Sequence, residues 1–315
     1  MQDGYRKDRP QVHILMAVRD GAAVLAGQLH SISRQEGVDW RLTCSDDGSR
    51  DASLQVLGDF AAQWPGRVSV GPGPQRGFAE NFLHLLRGLP ADPGLVALAD
   101  QDDIWLPGKL ARAAAWLAAA DPARPTLYCA RRIIWSPATQ TRRPEQRGPA
   151  RPAFRNALIE NIAPGNTIVL NPAAARLARL AARQAGPVFA HDWWLYLLVS
   201  GAGGHVLPDS LPVLLYRQHE ANVLGAGTGL RAQMRRKAGV LQGVYRDRLG
   251  ANIAAMRRCA VHLTPANRAV LDAFEAARAR RAARDIYLMG RAARPYRQSG
   301  VGSAAFWGAA LLGKV

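Results

Sequence analysis

The sequence contains few cysteines, and their arrangement argues against two kinds of cross-linked fold. Only Cys44, Cys129 and Cys259 occur in 315 residues, and no two of them are spaced as CxxC. An odd and scattered set argues against a disulfide framework and against a zinc site. It is typical of a protein that works in a reducing compartment.

Three further features are missing, and each argues against another class of protein. No run of about 18 apolar residues occurs, so we expect no membrane-spanning helix. Residues 1–11 are polar and lack the apolar stretch of a secretory signal. Neither a GxGxxG after the first predicted strand nor a GxxxxGK(S/T) is present, which disfavours a dinucleotide-binding fold and a P-loop.

Acidic residues are scarce overall, and the imbalance is concentrated at the C-terminal end. The net charge is +17, and residues 228–315 hold seventeen Lys and Arg against four Asp and Glu, a net +13 that leaves +4 for residues 1–227. We therefore predict two parts, a domain of nearly balanced charge over 1–227 and a basic, mainly helical extension over 228–315. Over the whole chain, 48% of the residues are hydrophobic, which is enough for a substantial core.

Short apolar runs alternate with segments of helical spacing in the first hundred residues. Such runs are typical of buried strands. Strands are predicted at 12–18, 41–44, 67–71 and 95–99, with helices between them at 22–34, 52–64 and 77–89. This alternation predicts an α/β fold with a mostly parallel sheet and crossover helices.

Two acidic clusters follow predicted strands. Asp46 and Asp47 begin DDGS, and Asp100, Asp102 and Asp103 come directly after LVALA. Ligands of such sheets bind beyond the carboxyl ends of the strands, so we expect both clusters at one edge. Carboxylates placed there suit Mg²⁺ or Mn²⁺ bound with phosphates. The alternatives are a turn with a helix cap for the first cluster and a solvated loop for the second.

Several segments, taken in order, resemble the inverting family 2 glycosyltransferases of GT-A fold, and within them the bacterial rhamnosyltransferase-like members. The matching segments are SDDGSRD (45–51), RGFAENF (76–82), ADQDDIWLPGKL (99–110), GNTIVLN (165–171, taken as a strand), HDWW (191–194) and YRQHEAN (216–222). One departure is Val18-Arg19, where such proteins often have Tyr-Asn after the first strand.

The resemblance implies roles for individual residues. Asp46 or Asp47 would contact the base or ribose of a nucleotide sugar, with Asp100 also in the nucleotide-sugar site. Asp102 would be the direct metal ligand, supported by Asp103. Other residues assigned to the donor site are Arg76, Asn81 and Arg217, and His219 is assigned to the metal or the diphosphate. For Arg76 a plain solvated charge, and for His219 a structural role, remain open.

Inversion at the anomeric carbon requires one base, which removes the proton of the attacking hydroxyl. Asp192 is the candidate, because the resemblance implies it and because it lies in the first turn of a predicted helix. An acid there could instead only complement the helix dipole. Trp193 could form the floor of the sugar site or be plain core.

The basic extension predicts a membrane-surface element, since basic amphipathic helices and the aromatic pair Phe306-Trp307 suit anionic headgroups. An ordinary helical subdomain is the alternative. We therefore expect a cytoplasmic enzyme, peripheral on the inner face of the membrane, that moves a sugar from a nucleoside diphosphate donor to a saccharide or lipid-linked saccharide. Rhamnose from dTDP-rhamnose is the first choice by resemblance. A nucleotidyltransferase and a nucleic-acid-binding protein are the alternative classes, and we expect no nucleic acid as partner.

Overall fold

The structure, a computed structural model, describes residues 9–146, 150–218, 244–280 and 289–315. Its first part alternates strands and helices as the sequence predicts. The elements are β1 (Gln11–Val18), α1 (Ala22–Ser33), β2 (Asp39–Asp46), α2 (Ser53–Gln63), β3 (Val68–Pro72), α3 (Phe78–Arg87) and β4 (Leu95–Ala99). The predicted strands and helices are confirmed, and each bound shifts by only a few residues.

The first four strands are parallel. β1 pairs with β2 and β4, and β2 pairs with β3, all in parallel register. Val18 lies opposite Asp46, and Met16 lies opposite Ala99, so β2 and β4 end on either side of the end of β1. The two acidic loops therefore leave the same edge of the sheet, as predicted.

The second part extends this sheet with shorter and mixed pairings. Its elements are β5 (Ile104–Trp105), α4 (Lys109–Ala118), β6 (Thr126–Ser136), β7 (Thr141–Pro144), α5 (Phe154–Ala157), β8 (Val169–Leu170), α6 (Pro172–Ala182), α7 (His191–Gly201) and β9 (His205–Arg217). The strand order is β3-β2-β1-β4-β8-β6-β9-β5, with β7 paired to β6. β6 and β9 run parallel, whereas β8, β7 and β5 pair antiparallel. The mostly parallel α/β sheet is confirmed.

The segment GNTIVLN is a strand only in part, which corrects the prediction for 165–171. Residues Gly165–Thr167 form a 3-10 turn, and the strand is limited to Val169–Leu170. The Thr167 backbone N–H and side-chain hydroxyl both donate to the carbonyl of Pro164, at 2.9 and 2.8 Å. These local bonds hold the turn in place of ladder bonds.

The C-terminal residues form α8 (Val244–Arg258), α9 (Pro265–Arg280) and α10 (Gly300–Leu311). Their apolar faces join the core of the preceding residues: Met256, Phe274 and Phe306 are buried in one cluster with Leu198 of α7. The Asn267 side-chain amide donates to the carbonyls of Ser200 and Gly201 at the end of α7, at 3.1 and 3.0 Å. The predicted boundary at 227/228 lies outside the described residues and stays a prediction.

Among the helices that the structure describes, none is both long enough and apolar enough to cross a bilayer.

Candidate active site

The first acidic loop, residues 45–49, uses its carboxylates to hold backbone. Asp46 accepts hydrogen bonds from the backbone N–H groups of Gly48 and Ser49, at 3.2 and 3.0 Å, and from the Ser49 hydroxyl. Asp47 accepts from the N–H groups of Gln75 and Gly77, at 2.6 and 2.8 Å. Both carboxylates are buried. The turn interpretation thus describes their contacts here, but neither side chain caps a helix, since the N-cap residues of α2 and α3 are Ala52 and Gly77, without a side-chain cap bond. A contact to a nucleotide stays a prediction.

Asn81 lies buried beneath this loop. Its amide donates to the Ser45 carbonyl at 2.8 Å and accepts from the Ser45 hydroxyl at 2.5 Å. A Cβ at Gly73 would come within 2.9 Å of the Asn81 Oδ1 and 3.0 Å of the Asp47 Oδ1, so the chain passes close to both side chains. Asn81 therefore supports the loop from inside. Arg76 is exposed on the segment between β3 and α3.

The second acidic loop, residues 100–103, gathers its carboxylates. Asp100, Asp102 and Asp103 can each bring one carboxylate oxygen within 4.8 Å of the others. Asp103 is fully buried, and its Oδ2 accepts from the Asn166 amide at 2.6 Å. Its Oδ1 has no hydrogen-bond partner among the described residues. A buried carboxylate oxygen without a partner is costly unless a cation or solvent satisfies it.

Mutual repulsion adds to that cost. Burial first, and then the negative charges of Asp102 and Asp192, raise the pKa of Asp100 to about 7. Burial and the charges of Asp100 and Asp102 also raise the pKa of Asp103 well above its usual range. A divalent cation would reverse both effects, because it favours the charged carboxylates.

Two residues that sequence reasoning missed lie against this cluster. Asn166, in the 3-10 turn, bonds Asp103, and Lys109 of α4 is buried with its Nζ 3.1 Å from the centre of the Trp105 ring. Burial holds the pKa of Lys109 well below its usual range, although Asp103 and Asp100 oppose that shift. The sequence carried a usable signal for Lys109. Its spacing from Ala113 places both residues on one face of a helix, and that face is buried.

Gln101 ties the second acidic loop to Arg19, the residue that follows β1. Its side chain accepts from the Arg19 N–H at 2.8 Å and donates to the Arg19 carbonyl at 3.0 Å. The Arg19 guanidinium in turn reaches to 4.0 Å from the Asp47 carboxylate. This arginine, at the departure from the family pattern, therefore places a positive charge between the two loops.

Asp192 lies at the same edge as the acidic cluster, because Gly165, whose N–H donates to Asp192, directly precedes Asn166, whose amide donates to Asp103. One carboxylate oxygen accepts from the Trp193 N–H at 2.7 Å and the other from the Gly165 N–H at 3.2 Å. The neighbouring His191 is buried with its ring stacked on Phe82 at 3.8 Å, and burial lowers its pKa to about 4. The predicted helix start is confirmed, with Asp192 in the first turn of α7.

Trp193 lies in the core. It is 6% exposed, and its indole N–H donates to the Ala157 carbonyl at 2.6 Å. Its ring meets Phe189 edge to face at 6.2 Å. This placement favours the core interpretation over a floor for the sugar.

Arg217, at the end of β9, reaches the acidic cluster. Its Nε donates to the Asp102 carbonyl at 3.0 Å, and its guanidinium lies 4.5 Å from the Trp135 ring centre. β5 pairs with β9, which explains why the end of β9 lies beside residues 100–103. Arg132, also missed from the sequence, opposes the raised pKa values of Asp100 and Asp103. His219 lies outside the described residues.

The residues of the second loop fit a hard divalent cation. They offer carboxylate oxygens, which Mg²⁺ and Mn²⁺ prefer, in a group of three with one buried oxygen unpartnered. The positive side chains of Arg19 and Arg217 near this edge suit an anionic ligand. The arrangement can therefore hold a cation with a phosphate-bearing ligand, next to the carboxylate of Asp192.

Comparisons with known proteins agree with this chemistry. The chain is 26% identical over 238 residues to the dTDP-rhamnosyl transferase RfbG of Shigella flexneri, covering 73% of this chain and 81% of that protein. It is 28% identical over 109 residues to the putative glycosyltransferase EpsE of Bacillus subtilis (strain 168), which covers 34% of this chain and 38% of that protein.

Among solved structures, TarS 1-349 of S. aureus in complex with UDP-GlcNAc superposes with a TM-score of 0.52 at 13% identity and covers 90% of both chains. The fold is that of the GT-A glycosyltransferases. The family described as glycosyl transferase family 2 matches residues 13–179, which include both acidic loops and Asn166. The chain therefore belongs to glycosyl transferase family 2.

Proposed function

We propose that this glycosyltransferase moves a sugar, with inversion, from a nucleoside diphosphate donor to a saccharide hydroxyl. The observation that carries the proposal is the position of Asp192 beside the acidic cluster: the Gly165 N–H donates to Asp192 at 3.2 Å, and the amide of the next residue, Asn166, donates to Asp103 at 2.6 Å. Asp192, the base that we propose, then lies next to residues that suit a metal-bound diphosphate. Inverting transfer needs this pair, a stabilised leaving group and one base for the acceptor.

Each residue has a defined task in this proposal. Asp102 and Asp103 hold Mg²⁺ or Mn²⁺, which when bound stabilises the negative charge that develops on the departing nucleoside diphosphate. Asp100 and Arg217 orient the diphosphate, while Asp46 and Asp47 hold the loop that receives the nucleoside. The Asp192 carboxylate accepts the proton of the attacking hydroxyl. The hydrogen bond that the Gly165 N–H donates to Asp192 keeps that carboxylate in place.

Rhamnose from dTDP-rhamnose is the donor sugar that we propose, and its support is the similarity to a dTDP-rhamnosyl transferase over 73% of this chain. The acceptor that we propose is a saccharide, or a saccharide on a lipid, at the surface of an anionic membrane. The basic C-terminal helices support that peripheral contact through their charge.

A donor screen tests the proposal. The purified protein is incubated with Mn²⁺, saccharide acceptors and dTDP-rhamnose, UDP-GlcNAc or GDP-mannose, and release of nucleoside diphosphate is measured. We expect turnover with dTDP-rhamnose, loss of turnover with a chelator, and a product of inverted anomeric configuration by NMR. A retained configuration, or turnover that survives the chelator, would contradict the mechanism. Turnover with UDP-GlcNAc or GDP-mannose but not with dTDP-rhamnose would contradict the proposed donor sugar.

A further inference from the structure

The last described helix, α10, has an unusual composition for a surface helix. Residues 300–311 include no charged side chain. The hydroxyl of Ser303 is engaged with backbone, because it accepts from the Arg297 N–H at 2.9 Å and donates to the Ser299 carbonyl at 3.1 Å. A helix that is apolar all round belongs in a protein core or in a membrane.

Among the described residues, packing contacts cover one side of α10. Phe306 and Ala310 are 3% exposed, and the Phe306 ring lies parallel to that of Phe274 at 6.5 Å. Trp307 is half-buried and lies against Gly290. The aromatic pair that the sequence assigns to the headgroup region is thus directed mainly toward the protein.

The opposite side of α10 carries an apolar stripe, which we call the outer stripe. Its members are all exposed and recur at helical spacing: Val301, Ala304, Ala305, Gly308, Leu311 and Leu312. Val301 is 84% exposed, Leu311 64% and Leu312 73%. Spacings of three and four residues place these positions on one face. Contiguous exposed apolar surface of this kind marks an interaction site.

Charge around the stripe indicates what covers it. Residues 289–315 contain four basic side chains and no Asp or Glu. Arg291 and Arg294 before the helix and Lys314 after it are exposed. An apolar stripe with exposed cations before and after it in the chain is complementary to an anionic lipid surface, where acyl chains lie beneath negative headgroups.

The length of α10 restricts how it can meet lipid. Its twelve residues span about 18 Å at 1.5 Å per residue, well short of the roughly 30 Å hydrocarbon core. It can therefore lie in the plane of the interface, with the outer stripe toward the acyl chains.

We propose that the outer stripe of α10 is the membrane-docking surface of this protein, with Arg291, Arg294 and Lys314 contacting anionic headgroups. The inference rests on the proposed peripheral membrane contact and names the surface that makes it. It also reassigns the apolar contribution from the Phe306-Trp307 pair to the outer stripe.

Vesicle flotation of the full chain tests the proposal. Wild type and the double variant Val301→Asp/Leu311→Asp are mixed with phosphatidylcholine vesicles that contain or lack phosphatidylglycerol. The matched control is Leu54→Asp/Leu180→Asp, since these leucines are 51% and 47% exposed on α2 and α6. We expect wild type and control to float with anionic vesicles at low salt, and the stripe variant to bind at least about 10-fold more weakly.

A second measurement avoids any dependence on the stability of the charged variants. Cys44, Cys129 and Cys259 are buried, so Leu312→Cys can be labelled with an environment-sensitive dye, with Leu54→Cys as control. We expect dye fluorescence to rise with anionic vesicles only for the label at 312. Equal responses of the two labels, or a wild-type protein that never floats, would overturn the proposal. A stripe-dependent dimer without lipid binding would instead assign the stripe to a second copy of this chain.

These outcomes are independent of the sugar chemistry. If the donor screen fails while the stripe variants still lose flotation, the docking surface stands and the proposed function fails. If the stripe variant releases nucleoside diphosphate as fast as wild type and floats as well as wild type, the proposed function stands and the docking surface fails.

Discussion

The two acidic loops are made of the same residue type at the ends of β2 and β4, yet their carboxylates are used in opposite ways. Asp46 and Asp47 accept from backbone N–H groups of their own and a neighbouring loop. Asp103 has a buried oxygen without a partner among the described residues, and the pKa of Asp100 is raised to about 7. Backbone donors satisfy the carboxylates of the first loop, whereas the second loop keeps a buried oxygen that a cation would satisfy.

This difference shows that carboxylate count alone does not identify a metal site. What separates the loops is whether nearby N–H groups already satisfy the negative charge. Backbone donors lower the cost of burying an anion, and the clustering of like charges raises it. Four predictions test this contrast.

The largest effect is expected for Asp102→Ala. Loss of a metal ligand removes several kcal/mol of transition-state stabilisation, so we expect turnover to fall by about 10³-fold or more. Nucleoside diphosphate release at saturating Mn²⁺ measures this. Asp59→Ala, an exposed acid on α2, is the control and should leave turnover unchanged. An active Asp102→Ala enzyme would remove the metal role from the second loop.

Asp192→Asn should lower kcat by about 10²–10⁴-fold, the usual contribution of a general base, and leave donor binding intact. Calorimetry with the nucleoside diphosphate and a transfer assay separate the two effects. Asp247→Asn is a matched control, because Asp247 also lies in the first turn of a helix. If both variants lose only helix stability, Asp192 complements the helix dipole and the base lies elsewhere.

The same substitution in the two loops should change stability in opposite directions. Asp47→Asn leaves only one acceptor for the N–H groups of Gln75 and Gly77, so we expect a loss of about 1–3 kcal/mol. Asp103→Asn removes one of three clustered charges and keeps an acceptor for Asn166, so the metal-free protein should be as stable or more stable. Urea unfolding with a chelator present measures both, and equal losses would refute the contrast.

The smallest effect is a pH dependence of the metal-free protein. The folded-state pKa of Asp100, about 7, lies above the unfolded value near 3.9, so the folded state holds its proton more tightly. The stability of the folded state should therefore fall as pH rises from about 4 to about 7. Asp100→Asn should flatten this slope in thermal unfolding. Saturating Mn²⁺ should stabilise wild type more at pH 7 than at pH 5, because the carboxylates must lose protons to bind it.

Prediction from the sequence worked best for the strands and helices of the first hundred residues, where the spacing of apolar residues and the order of the segments carry the information. The alternation of 12–18, 41–44, 67–71 and 95–99 with helical segments gave the parallel half of the sheet, because each apolar run fits a buried strand. It failed at 165–171, where turn-forming hydrogen bonds replace the ladder. Asn166 and Arg132 were missed because they reach the acidic cluster through packing between elements distant in the chain. Lys109 follows the cluster directly in the sequence, and its helical spacing with the buried Ala113 was a signal that could have been used.

The C-terminal helices also combine features that the sequence predicts with one that only packing decides. Charge and helical spacing were readable from residues 228–315, but the sequence could not say which face is covered. Phe306 is buried and the outer stripe is exposed, and that choice depends on the apolar face of α9, whose Phe274 lies against Phe306.

Sequence alone determined the α/β alternation, the placement of both acidic loops at strand ends and the basic character of the C-terminal part. These follow from local period and composition, which require no knowledge of distant contacts. Only the tertiary structure decided which carboxylates are satisfied, that Trp193 packs in the core, and that adjacent residues of the 3-10 turn bond both Asp192 and Asp103. Those outcomes depend on burial and on charges brought together from separate elements, and neither quantity is encoded in the spacing of neighbouring residues.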